Sequence, residues 1–325
     1  MPDFAAHDLF GTQVLALLPP SAAGPLERSP AFRWGLQGPD PLYYRGVLLG
    51  GSPLPGWGAL MHRSQTDRLF ETAAGLVCRQ PAGPARALTQ AYLMGFLCHY
   101  LLDSAAHPYI FWRQQQLAAA LPQTPPAALH CRVEADADMA LYRLRAGQDV
   151  TRFRPSAACP LPGPLARLLG SFVARLLQQT YGLPAAPAQC AAAFAECARV
   201  VPLLYAPSDL PRRLAQGAEV LARRPGAFSS HFKWASWQDT GDVLNLACAP
   251  WHSPTRPQQT RTESLPQLME AAAQAAPPAL EHCRRMIAAR QPEPFGFAVS
   301  FDNGDPERSE EETDENGREP EHTAY

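Results

Sequence analysis

His99, Asp103 and His107 stand at four-residue steps in the segment "HYLLDSAAHPY". Four residues carry a helix slightly more than one turn, so these side chains fall on nearly one face. Around them, Leu93, Phe96, Leu97, Tyr100, Leu101 and Leu102 are residues of a buried helix. Polar groups in such a setting need partners, because desolvating them unpaired is costly. A metal ion would satisfy all three at once.

Similar residue types gather nearby. Of the nine histidines, His7, His62, His99, His107 and His130 precede residue 131. His130 has Glu134 one turn later in "HCRVE", and Asp40 lies in "QGPDPLYY". Imidazole and carboxylate are the ligands zinc takes when cysteine is not used. Two helices presenting His-x-x-x-Asp and His-x-x-x-Glu can converge on more than one ion. A hydrogen-bonded core histidine accounts for His7 or His62 taken singly, and a buried His–Asp bond accounts for His99–Asp103 taken singly. The accumulation favours metal, since buried charges are rarely left unpaired. Asp136 and Asp138 read as solvated or supporting residues, His231 as structural or at a pocket rim, and His252 and His282 as surface residues. Cys98 and Cys131, beside the candidate ligands, are expected to point off the ligand face. No Walker A loop, dinucleotide fingerprint or G-x-S-x-G elbow is present.

Apolar periodicity predicts helices over 3–18, 58–78, 84–107, 126–145, 163–181, 187–204, 208–224 and 263–290. Pro108 disfavours α-conformation at His107, so the third is expected to end or kink there. Residues 20–58, rich in proline and glycine, read as an ordered loop region. No convincing strand alternation is seen, which predicts an all-α single domain over 1–304. From Asp305 the chain is acidic and almost without apolar residues, a disordered tail over 305–325.

The chain has 325 residues, 46% of them hydrophobic, enough for a sizeable core. Its net charge of −2 argues against a general polyanion binder. Lys233 is the only lysine. The eight cysteines are scattered without a CxxC pair, which reads as reduced thiols in a cytoplasmic protein. The start "MPDFAAHDLFG" does not read as a signal peptide, and no apolar run is long enough to span a bilayer.

The ordered series of His7, "GPD" at Asp40, "MH" at His62, "HYLLDSAAHPY" and "HCRVE" resembles the zinc-dependent phospholipase C family. It is most similar to a leaderless bacterial branch with starts like "MPDF…H". The resemblance covers residues 1–145 and continues more weakly through "DVLNLACAPWHSP" and "AVSFDNG". It implies an all-α, phospholipase C/P1 nuclease-like fold with two to three Zn2+ ions at the base of a cleft. It also implies hydrolysis of a phosphodiester, in a phospholipid or, as in P1-type relatives, in nucleic acid.

By the same resemblance His62, His99 and Asp103 hold one zinc, and His107, His130 and Glu134 a second. His7 and a bridging Asp103 serve a third, and Asp40 orients or deprotonates the attacking water. Zinc suits this work because it lowers the pKa of bound water from about 15.7 to about 7. Secreted members complete the third site with an N-terminal tryptophan. Met1-Pro2-Asp3 stands there instead, so that site is weak, absent, or completed by Asp3 or the Pro2 amine. The step from Asp103 to His107 is also shorter than in secreted members. The rival readings are a non-catalytic, metal-stabilised helical binding or scaffold protein and a P1-like nuclease. Arg212, Arg213, Arg223 and Arg224 are too few and scattered to make a nucleic-acid groove.

Overall fold

A proline in the first turn begins most of the α-helices, where its missing N–H costs nothing and its fixed φ suits the helix. The structure is a computed structural model describing residues 3–46 and 51–302. Its helices are α1 (Phe4–Leu17), α2 (Pro20–Glu27), α3 (Pro30–Gly35), α4 (Leu54–Arg63), α5 (Thr66–Cys78) and α6 (Pro84–Ala120). They continue as α7 (Pro126–Ala146), α8 (Pro155–Ala158), α9 (Gly163–Tyr181), α10 (Pro187–Val200), α11 (Leu210–Ala222) and α12 (Leu265–Ala289). The all-α expectation holds in its main lines. Two small ribbons are added: β1 (Tyr205–Ala206) beside β2 (Lys233–Trp234), and β3 (Trp251–Ser253) against β4 (Arg256–Arg261).

Three boundaries differ from the sequence reading. The predicted loop over 20–58 holds α2, α3, the start of α4 and a 3-10 turn at Asp40–Tyr44, because its prolines start short helices as well as stopping them. The stretch 58–78 is two helices, divided where Gln65 takes a left-handed φ of 56°. The helix expected to end or kink at His107 does not end there but runs through Pro108 to Ala120. Pro108, Tyr109 and Ile110 are all buried, so packing along the core outweighs one missing backbone bond. The acidic segment 305–325 lies outside the described residues.

The long α6 is the axis of the molecule, packed by α1, α3, α5, α7, α9 and α12. Gly35 on α3 and Gly95 on α6 let two backbones meet: a Cβ on Gly35 would lie 2.1 Å from the Tyr92 carbonyl, and one on Gly95 would lie 2.2 Å from that of Phe32. That approach brings the turn after α3, with Asp40, onto the face of α6 that carries His99.

The other end of the frame depends on a residue read as solvated or supporting. Asp138 of α7 is fully buried, and its carboxylate accepts the Ala5 and Ala6 N–H groups at 3.0 and 2.8 Å and the Tyr205 hydroxyl at 3.1 Å. It satisfies amides that the first turn of α1 leaves open. Asp3 caps the same helix through the Phe4 N–H and pairs with the buried Lys233. Replacing Asp138 with Ala strands two buried N–H groups and is expected to lower the unfolding free energy by about 2–4 kcal/mol in a urea titration. A change below about 0.5 kcal/mol would show that α1 is held by other means.

Candidate metal centre

Every residue of the expected ligand series sits on one of five elements around α6. His7 comes from α1, Asp40 from the 3-10 turn and His62 from the last turn of α4. His99, Asp103 and His107 come from α6, and His130 and Glu134 from α7. All are buried except His130, which is partly so. Their ligand atoms group as His7–Asp40–His99, His62–His99–Asp103 and His107–His130–Glu134, each within 4.8 Å of one another. Hence two of the expected triads come together as expected. His7 is shared between Asp103 and the Asp40–His99 pair.

The separations have the size a small ion imposes. His7 Nε2 lies 3.3 Å from Asp103 Oδ1, and His99 Nε2 lies 3.1 Å and His62 Nε2 3.8 Å from Oδ2. Asp40 Oδ1 is 3.3 Å from His62 Nε2 and 3.9 Å from His99 Nε2. Glu134 Oε1 is 2.9 Å from His130 Nε2 and 3.8 Å from His107 Nε2. Nitrogen and oxygen ligands about 2.0–2.2 Å from a tetrahedral zinc lie about 3.3–3.6 Å from one another.

Hydrogen bonding tests the fit independently. Four imidazoles have Nδ1 engaged: His62 by the Gly58 carbonyl at 2.8 Å, His99 by that of Leu36 at 3.1 Å, His107 by that of Phe301 at 2.5 Å and His130 by Gln114 Oε1 at 2.9 Å. An Nδ1–H donated to a carbonyl leaves Nε2 as the lone pair facing inward, the usual arrangement around a bound metal. Meanwhile both nitrogens of His7, His99 Nε2, both oxygens of Asp103 and Asp40 Oδ1 are buried with no aligned hydrogen-bond partner among the described residues. Close contacts such as His99 to Asp103 are therefore proximities rather than satisfied bonds. A divalent cation among them would supply what is missing, and a donor set of nitrogen and oxygen is one that zinc accepts.

Burial sets the protonation states. It holds His7, His107 and His130 below the ordinary imidazole value, His107 at about 4. Burial also pulls on His99, but the Asp103 and Asp40 charges outweigh it and raise that imidazole. Burial pushes Asp103 up, and the neighbouring His99 and His107 hold it well below the usual carboxylate range.

Several supporting groups were not visible as such in the sequence. Phe301 packs on the His62 and His99 rings, and its N–H and that of Asp302 donate to the His62 carbonyl. Gly38 has a φ of +49°, and a Cβ there would lie 2.4 Å from the His99 ring. Gln114 lies seven residues beyond His107 on one helix, a relation hidden by ending that helix at Pro108. Asp3, expected as a possible ligand, has its carboxylate committed to Lys233 and the Phe4 amide, so it does not complete a third site. The Pro2 amine lies outside the described residues. Burial pushes the Cys131 thiol up, but the neighbouring His231 outweighs it and holds the thiol below its ordinary value. All eight cysteines are free, and among the described residues no helix is long and apolar enough to cross a membrane.

No protein-family model matches the chain, and no curated protein or solved structure is found similar to it.

Two outcomes follow from this geometry. Gly38→Ala must displace the His99 ring or the turn carrying Asp40, so it is expected to lower bound zinc by about tenfold or more in affinity at unchanged helix content. Unchanged zinc affinity would show that the turn has slack. Zinc uptake should release protons chiefly from His99, whose imidazole is raised by its carboxylate neighbours, rather than from His7, His107 or His130, which burial lowers. Affinity therefore weakens as pH falls through the raised value of His99. Calorimetry in two buffers of different ionisation enthalpy reads the proton count; zero protons would contradict the assignment.

Proposed function

We propose that this chain is a zinc-dependent phosphodiester hydrolase of phospholipase C type. The observation that carries the proposal is the convergence of five imidazoles and three carboxylates, several with buried and unmatched ligand atoms, at ion-sized spacing. His62, His99 and Asp103 would hold one ion, His107, His130 and Glu134 a second, and His7 with the bridging Asp103 offers a third, incomplete position. Zinc when bound supplies acidification of water toward neutral pH and a positive charge opposite phosphoryl oxygens.

The chain's own residues do the rest. Three carboxylates leave the charge of two or three dications only partly neutralised, so an anionic diester is favoured over a neutral ester. Asp40, whose Oδ1 lies 3.3 Å from His62 Nε2, would take the proton of the attacking water. The Leu36, Gly58 and Phe301 carbonyls and Gln114 fix imidazole orientation, and Phe301 closes one wall with an apolar ring.

The resemblance in the ligand series and the cluster's geometry support the same reading from separate directions. Asp40→Asn is expected to keep zinc while slowing hydrolysis of bis(p-nitrophenyl) phosphate by about 10²–10⁴-fold. Asp103→Asn is expected to lose both zinc and activity. A zinc-loaded protein that cleaves neither this diester, a choline phospholipid nor single-stranded DNA, yet unfolds with chelator, would replace the hydrolase with a metal-stabilised scaffold. Cleavage of DNA alone would favour the P1-like nuclease.

A further inference from the structure

Helix α11 is turned outside in. Leu210, Leu214, Gly217 and Leu221 recur at i, i+4, i+7 and i+11, the spacing of an apolar stripe that ordinarily faces a core. Here that stripe faces solvent: Leu210, Leu214 and Leu221 are 61, 66 and 88% exposed, and Val220 beside them is 71% exposed. The buried residue of the helix is a carboxylate. Glu219 accepts the N–H groups of Gly226, Phe228 and Ser229 at 2.9, 2.6 and 2.6 Å and the Ser229 hydroxyl at 2.7 Å. Arg212 lies over the Trp234 ring at 4.5 Å and pairs with Asp209. These inward contacts fix the helix's rotation, so the leucines cannot turn into the core without stranding a buried charge.

The geometry points to α11 as a docking surface for an anionic lipid interface. An exposed leucine stripe about 16 Å long, lying along the surface, is the form in which helices enter the boundary of headgroups and acyl chains. The charge at its C-terminal end is basic. Arg223 and Arg224 follow the end of the stripe; Asp209 is engaged by Arg212 and Arg213, and Glu219 by the Gly226, Phe228 and Ser229 amides. Exposed arginines beside a leucine stripe complement anionic headgroups. A two-fold contact between copies of this helix would instead set these arginines near one another. The surface is also connected to the metal centre: α11 packs on the 3-10 turn Ser229–His231, which packs on α7, the helix of His130 and Glu134. The inference rests on the helix alone and stands whether or not the centre cleaves diesters.

The test is co-sedimentation of the full chain with vesicles of phosphatidylcholine alone or mixed with phosphatidylserine. The chain is expected to sediment with the mixed vesicles and less with phosphatidylcholine, and added salt should weaken the binding. The L210S/L214S/L221S variant removes only exposed side chains; it should keep the native circular dichroism spectrum and lose about tenfold or more in partitioning. R223Q/R224Q should lose several-fold on phosphatidylserine vesicles only. A chain that stays in the supernatant overturns the proposal, as does a leucine variant that binds as well as the parent. A parent dimer in analytical ultracentrifugation that the leucine variant converts to monomer would also overturn it, assigning the stripe to self-association.

Discussion

Asp103 is a carboxylate with no exposed surface, set among the imidazoles of His7, His62 and His99 in the most apolar stretch of the longest helix. Keeping a charge there is costly in free energy unless something of opposite sign meets both oxygens. The neighbouring His99 and His107 favour that charge, yet neither Asp103 oxygen has an aligned hydrogen-bond partner among the described residues. This one constraint explains why polar side chains from four other elements converge on α6. It also explains why Nδ1 of His62, His99 and His107 meets a backbone carbonyl and that of His130 meets Gln114 Oε1, which turns each Nε2 inward.

The scaffold is arranged to make such convergence possible. Glycines at 35 and 95 bring α3 against α6 at backbone distance, and Gly38 turns the chain immediately over the His99 ring. Asp138 holds the first turn of α1 and so fixes the height of His7. The segment after α12 returns to bind the His62 backbone and the His107 ring through Phe301. Groups distant in sequence therefore position several of the ligands, and the centre is a product of tertiary packing as much as of its helices.

What the sequence makes legible is the local part. Steps of four residues between His99, Asp103 and His107, and between His130 and Glu134, place ligands on helix faces by geometry alone. The helices themselves are readable from apolar period and proline punctuation. The continuation of α6 past Pro108 is not, since local sterics favour a break and only the burial of Tyr109 and Ile110 decides otherwise. With that continuation went the partnership of Gln114 and His130. The burial of Asp138 and the pairing of Asp3 with Lys233 are likewise long-range facts. Nothing in their immediate neighbours distinguishes an aspartate that caps a distant helix from one in water. The short helices between Pro20 and Gly35 were hidden because prolines that open helices look like prolines that forbid them.

The central claim is that metal ions occupy the space between these ligand atoms, and crystals of the protein grown with zinc test it directly. An anomalous difference map recorded across the zinc edge is expected to show one peak among His62, His99 and Asp103 and another among His107, His130 and Glu134. A map with no peak at either place would contradict the account and leave Asp103 as a buried carboxylate neutralised by protonated histidines.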